Sequence, residues 1–140
     1  MTLEVELPLE FVVFGVPISP QASSSSREAW KKRVAAAVLQ KLPEGHWATL
    51  EQLSVAIVYF SSGPSTIDTD NMIKPILDAL THVVWLDDRQ VCEVTARKTD
   101  RSLLANLTNP PADLAAALET NLPFVYVRVR TMIGHEELPR

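Results

Sequence analysis

The sequence has 140 residues, 46% of them hydrophobic and 21% charged, which is typical of one folded domain with a hydrophobic core. Intrinsic disorder is therefore excluded as the default state, and a single cysteine excludes both an internal disulfide and a cysteine-rich zinc site. The formal net charge of −4 argues against a protein that binds nucleic-acid phosphates over most of its surface.

The first residues carry no pattern of a targeting or membrane segment. Glu4 and Glu6 are acidic where a signal peptide begins with basic residues. The apolar run at residues 11–18 is much shorter than the about 20 residues that cross a membrane. We therefore expect a protein of the reducing cytosol without a membrane partner, and we expect Cys92, in a strand-like run, to be a buried and inert thiol.

The first half of the chain alternates strand and helix patterns. Residues 3–16 predict one or two strands, with the better one at 11–16. Residues 17–26, rich in Pro and Ser, predict a mobile loop whose serines can cap the next helix. That helix is predicted at residues 27–42, because apolar side chains recur there every four residues. Residues 53–60 are the clearest strand, with both faces covered.

The second half repeats this alternation and completes one domain. Residues 70–80 predict a helix in which Pro75 causes a short first turn or a kink. Residues 91–99 and 124–131 alternate as strands do, and a short helix lies between them at 110–118. The order predicts a single domain over residues 1–140, of α+β or α/β class, with one mixed sheet and helices packed on it.

Two carboxylates come together where the chain enters the second helix. Asp68 and Asp70 lie two residues apart, so in an extended segment their side chains point the same way. Two such carboxylates repel, and a divalent cation removes the conflict; oxygen ligands favour Mg²⁺ or Mn²⁺. A calcium-binding EF-hand loop is excluded because its fifth and sixth positions, counted from Asp68, are Met72 and Ile73.

Further charged residues fit the same chemistry. Lys74 lies four residues after Asp70, which on a helix places its ammonium beside that carboxylate, where it could neutralise a scissile phosphate. Asp87 and Asp88 bring carboxylates from another element, and we expect only one of these neighbours to reach a metal directly. Together these are the groups that metal-dependent phosphodiester hydrolysis requires.

Each of these features also has a purely structural explanation. Asp68 could cap the helix that follows it. Asp70, Lys74 and Asp78 could form an exposed ladder of ion pairs, and Asp87 with Asp88 could be a plain turn. On spacing alone, these explanations stay open beside a divalent-metal site.

The order of the residues resembles the RusA family of Holliday-junction endodeoxyribonucleases. The resemblance rests on Asp-x-Asp-Asn-x-x-Lys, then Asp-Ala-Leu, then Trp-Leu-Asp-Asp-x-Gln-Val, and is dense over residues 67–98. It implies a homodimer that cuts four-way or other branched DNA with Mg²⁺ or Mn²⁺. It also implies that the metal ligands are Asp68, Asp70 and Asp88 and that Lys74 is the essential basic residue. Asn71 would hold the start of the helix or the waters of the metal, and Asp87 would lie behind the direct ligands.

The resemblance departs from the family where basic residues would bind DNA. Residues 61–66 lack the arginines that often precede the first aspartate, and residues 23–26 are all serine. The remaining candidates for contacts with DNA phosphates are Lys31, Lys32, Arg33, Arg89, Arg97, Lys98, Arg101, Arg128 and Arg130. Two other functions therefore stay open: a different metal-dependent phosphohydrolase, and an inactive relic that binds DNA weakly.

Overall fold

A computed structural model of the chain describes residues 3–100 and 109–132. The predicted α+β class is confirmed: within these residues, three helices pack on a four-stranded mixed sheet. The elements in chain order are β1 (Leu9–Phe14), α1 (Ser24–Leu39), β2 (Leu53–Ser61), α2 (Thr69–Leu80), β3 (Val91–Asp100), α3 (Ala112–Leu118) and β4 (Phe124–Thr131), with a 3₁₀ turn at Asp88–Gln90. Arg101, a predicted DNA contact, lies outside the described residues.

The sheet has the strand order β1-β4-β2-β3. β4 runs antiparallel to both β1 and β2, whereas β2 and β3 are parallel and are joined through α2. Leu53 pairs with Val91 at one end of β2, and Ser61 pairs with Asp100 at the other. β2, α2 and β3 therefore form a β-α-β unit, in which the helix carries the chain back to the end where both strands begin.

The main core lies between one sheet face and helices α1 and α2. Trp30, Val34 and Val38 of α1 and Met72 and Ile76 of α2 are buried in it. The alternation predicted for β4 is confirmed, because its residues at 125, 127 and 129 are fully buried on this face. A smaller core on the other face covers one end of the sheet, where α3 packs on the stacked rings of Phe60 and Phe124.

The start of one helix shifts because of local hydrogen bonding, and the first turn of another is not shortened as predicted. Helix α1 begins at Ser24 instead of residue 27, since the side chain of Ser23 accepts the N–H of Ser26 and caps the first turn. Helix α2 runs without interruption through Pro75, which is buried against the core, so Pro75 does not shorten its first turn. Within the described residues, no helix is long and apolar enough to cross a membrane.

The prediction of a buried Cys92 is wrong, because this thiol is exposed on β3. Val94 and Ala96 of β3 are partly buried against the main core, so the strand itself is correctly predicted. However, β3 is an edge strand, and its side chains are covered less than those of the central strand β2. The exposure of Cys92 therefore follows from strand order, which the local alternation does not contain.

Candidate active site

Asp68 and Asp70 lie at the start of α2, on the loop that leaves β2. Asp68 occupies the N-cap position, yet within the described residues its side chain makes no capping hydrogen bond. Only its backbone oxygen takes part, by accepting the N–H of Asn71 at 3.0 Å. Both carboxylates are exposed. The capping explanation for Asp68 thus fails, and two acidic side chains stand at a helix N-terminus, where negative charge is favoured.

The loop before Asp68 is fixed to the sheet by Lys98. Its Nζ donates a hydrogen bond to the backbone oxygen of Ile67 at 2.8 Å, and the N–H of Ile67 contacts the Ser65 hydroxyl at 3.3 Å. The side chain of Lys98 therefore has a structural partner in this chain. This hydrogen bond holds the loop of Asp68 near the last residues of β3, and the role of Lys98 as a DNA contact stays a prediction.

Lys74 pairs with Asp78 instead of Asp70. The two atoms Nζ and Oδ2 lie 3.4 Å apart, one helical turn towards the C-terminus, so the expected contact with Asp70 is wrong for this structure. Both directions along the helix offer the same spacing of four residues. The Lys74 side chain is 72% exposed, and an exposed pair of this kind holds its partners weakly. The pair with Asp78 therefore restrains the ammonium only weakly.

Asp87 and Asp88 have different environments, as expected for neighbours. The Asp87 carboxylate accepts the N–H of Arg89 at 2.9 Å and pairs with the Arg89 guanidinium, also at 2.9 Å. These hydrogen bonds hold the pKa of Asp87 well below its usual range. Asp87 therefore serves the turn and neutralises Arg89, a predicted DNA contact. Asp88, whose side chain is exposed, is the member of the pair placed for another ligand.

Gln90 builds the turn that presents Asp88. Its Oε1 accepts the N–H groups of Leu86 and Asp87 at 2.9 and 3.0 Å. Its Nε2 donates to the backbone oxygens of Thr49 and Glu51 at 2.8 and 2.9 Å. Gln90 is part of the sequence motif, but the sequence analysis assigned it no role. Its position three residues after Asp87, as in a capping box, could have indicated that it stabilises this turn.

Within a single chain, Asp88 lies at the opposite end of α2 from Asp68 and Asp70. Asp68 precedes α2, whose 12 residues span about 18 Å, while Asp88 follows that helix and precedes β3. β3 returns over its 10 residues, roughly 30 Å, before Lys98 near its end reaches Ile67. Accordingly, the described residues contain no group of three or more His, Cys, Asp or Glu side chains that could hold a metal ion. The convergence of three acids within one chain is not observed.

The basic candidates on α1 are partly engaged within the chain. Lys31 pairs with Glu28 at 3.6 Å, and Lys32 is exposed. Arg33 donates to the backbone oxygen of Phe14, beside Gly15, whose φ of +130° and missing side chain leave room for this approach. Arg33 therefore joins α1 to the end of β1.

A cleft of about 230 Å³ between α1 and α2 collects other charges next to Lys74. It is lined by Arg27, Glu28 and Lys31 of α1 and by Lys74 and Asp78 of α2. Arg27 also donates to the backbone oxygen of Pro20 at 2.8 Å. Lys31, a predicted DNA contact, therefore lies beside Lys74, a predicted catalytic residue.

The three arginines of the strands lie on the other side of the sheet. Arg97, Arg128 and Arg130 occupy register positions whose side chains face away from α1 and α2. Arg128 also contacts Glu10 at 3.4 Å. In one chain these arginines are thus separated by the sheet from the aspartates at the start of α2.

Comparison with known families identifies one match. The family model described as endodeoxyribonuclease RusA matches residues 20–106 of the 140-residue chain. The matched range begins before α1 and includes α2, the turn of Asp87 and Asp88, and all of β3. No curated protein matches the chain.

Proposed function

The chain belongs to the RusA endodeoxyribonuclease family, and from this premise we propose that it is a metal-dependent endonuclease that cuts four-way and other branched DNA as a homodimer. In this proposal it acts in DNA recombination and repair. The observation that carries the proposal is the pair Asp68 and Asp70: both carboxylates are exposed at the start of α2, and Asp68 occupies the cap position without capping. Exposed carboxylates at a helix N-terminus that do not cap the helix are available to bind a ligand.

The donor set fits a hard divalent cation. Asp68, Asp70 and Asp88 offer only carboxylate oxygens, the ligands that Mg²⁺ and Mn²⁺ prefer. When bound, the ion would activate water and offset the charge of the scissile phosphate. Asn71, on the first turn of α2, could hold the ion's waters through its amide. Lys74 would leave its exposed pair with Asp78 and contact the phosphate oxygens.

The separation of the acids supports the homodimer. Since α2 and β3 keep Asp88 away from Asp68 and Asp70 in one chain, a second copy would supply the third carboxylate in this proposal. A symmetric dimer then contains two such sites. A four-way junction is itself two-fold symmetric, so paired sites would cut two opposed strands.

One observation favours an alternative function. The net charge is −4, and Arg33, Arg89 and Lys98 already have partners within the chain. A weakly DNA-binding relic without catalysis would have the same features. The nuclease proposal therefore depends on a measured, metal-dependent turnover.

The test compares three substrates in Mg²⁺: a synthetic four-way junction, a linear duplex of the same sequence, and free nucleotides. We expect symmetric nicks in the junction, little cutting of the duplex and no nucleotide hydrolysis. Asp70→Asn should abolish nicking without unfolding the chain. Asp113→Asn, which removes the same charge from distant α3, is the matched control and should cut normally. Full cutting by Asp70→Asn would refute the mechanism, and preferred nucleotide hydrolysis would identify a different phosphohydrolase.

A further inference from the structure

The outer edge of β3 is open for another strand. Within residues 3–100 and 109–132, β3 pairs only with β2, on one side. The other side presents the backbone groups of a 10-residue strand. Such an edge is a template for pairing with a further chain, because every second N–H and C=O points outward.

The side chains of β3 are complementary to a second, antiparallel copy of themselves. If the two-fold axis passes near Thr95, Glu93 lies opposite Arg97 of the partner, and Thr95 lies opposite its own copy. Opposite charges and paired threonines stabilise neighbouring strands. An axis at Glu93 would instead place two glutamates face to face, which destabilises the pair. The charges therefore favour an axis at Thr95 over an axis at Glu93.

Helix α2 turns a suitable side towards this edge. Lys74 and Asp78 line the cleft with α1, so that side of the helix faces α1. Ile73 and Leu77 lie on a different stripe, about 100° around the helix at 3.6 residues per turn. Since α1 contacts β1 and α2 contacts β3, this stripe faces the open edge of the sheet. Ile73 and Leu77 are only partly buried and could contact a partner.

From these features we propose that the β3 edge is the dimer interface, and that β3 pairs antiparallel with its copy around Thr95. This inference rests on the proposed function and names the surface that its homodimer uses. The pairing creates a continuous eight-stranded sheet with both α2 helices on one side. It also brings the turn that carries Asp88 of one protomer to the end of β3 where Asp68 and Asp70 of the other lie.

Disulfide trapping tests the register directly. In the proposed pairing Cys92 faces residue 98 of the partner, at the about 5 Å between Cα atoms that both antiparallel pairs and disulfides require. Lys98→Cys should therefore form a covalent dimer under mild oxidation. The wild-type chain should not, since its two copies of Cys92 would be offset by roughly 20 Å along the strands. Lys32→Cys, exposed on α1, is the matched control.

Sedimentation without DNA or metal gives a second readout that does not depend on the Lys98 contact. The wild-type chain should sediment as a dimer, and Thr95→Lys should dissociate at least tenfold more readily, because two ammonium groups would meet at the axis. Thr131→Lys, at the end of the interior strand β4, should remain dimeric. A monomeric wild type, an unchanged Thr95→Lys dimer, or equal cross-linking of Lys98→Cys and Lys32→Cys would each overturn the interface. A dimer of this register that does not cut DNA refutes the proposed function alone.

Discussion

The clearest quantitative prediction concerns Gln90, because its amide makes four hydrogen bonds that define the turn carrying Asp88. In Gln90→Ala all four are lost. At about 0.5–1.5 kcal/mol net for each, and with water replacing some of them at this half-buried site, we expect roughly 2–4 kcal/mol less stability. The four partner groups belong to two segments, so the loss also releases the turn from the start of β2.

Urea unfolding followed by tryptophan fluorescence measures this loss, since Trp85 is buried near the turn. Gln90→Glu separates the two halves of the network: it keeps the acceptor for Leu86 and Asp87 but cannot donate to Thr49 and Glu51. It should be destabilised as well. The exposed Gln52→Ala is the control and should change stability by less than about 0.5 kcal/mol.

The loss of the Gln90 hydrogen bonds should also affect nuclease activity. With the turn loosened, Asp88 is no longer held in place, so Gln90→Ala should need more Mg²⁺ for half-maximal nicking than the wild type. The measurement is a metal titration of junction cleavage at a temperature where the variant is still folded. If Gln90→Ala unfolds at the wild-type urea concentration and cuts with unchanged metal dependence, the role assigned to this glutamine is wrong.

Two further predictions follow from individual contacts. Lys74→Met should reduce junction cleavage about 100-fold or more, as expected for the loss of a charge at the phosphate, whereas Asp78→Ala should change it little; single-turnover cleavage of both variants tests this. Burial, with a hydrogen bond to Glu10, raises the pKa of Tyr126 above its usual value, so the folded state favours the neutral phenol. That stabilisation is complete below the unfolded pKa of about 10 and declines as the pH rises beyond it. Thermal unfolding of Tyr126→Phe should consequently depend less on pH above 10 than that of the wild type, and equal slopes would contradict the assignment.

The elements of this fold were largely predictable because their side-chain periods are strong. β2 and β4 alternate over eight or nine residues, and α2 carries a clear apolar stripe, so their positions were correct. The start of α1 was missed because serines favour both loops and helix caps. Only the hydrogen bond from Ser26 to Ser23 distinguishes the two states.

The candidate site was predictable in its parts but not in its assembly. The spacing of Asp68 and Asp70 places both at the start of α2, where the structure has them. The predicted convergence of these two aspartates with Asp88 does not occur within one chain, because of the topology of the sheet. In a β-α-β unit the helix begins near the C-terminal ends of the two strands. The residues just before the second strand lie near the N-terminal ends of the strands instead. The parallel pairing of β2 and β3, which local patterns do not contain, therefore separates the acids.

The most direct test of the account is complementation between two inactive variants. Asp70→Asn and Asp88→Asn chains, purified through different tags, should each fail to nick a four-way junction as homodimers. In a mixed dimer with sites shared between protomers, one site combines both substitutions and the other is fully wild type. We predict that the mixed dimer regains Mg²⁺-dependent nicking at about half the wild-type rate, since one of two symmetric sites is intact. A mixed dimer that stays inactive while the wild type cuts would show that each chain builds its own site, and would contradict the account.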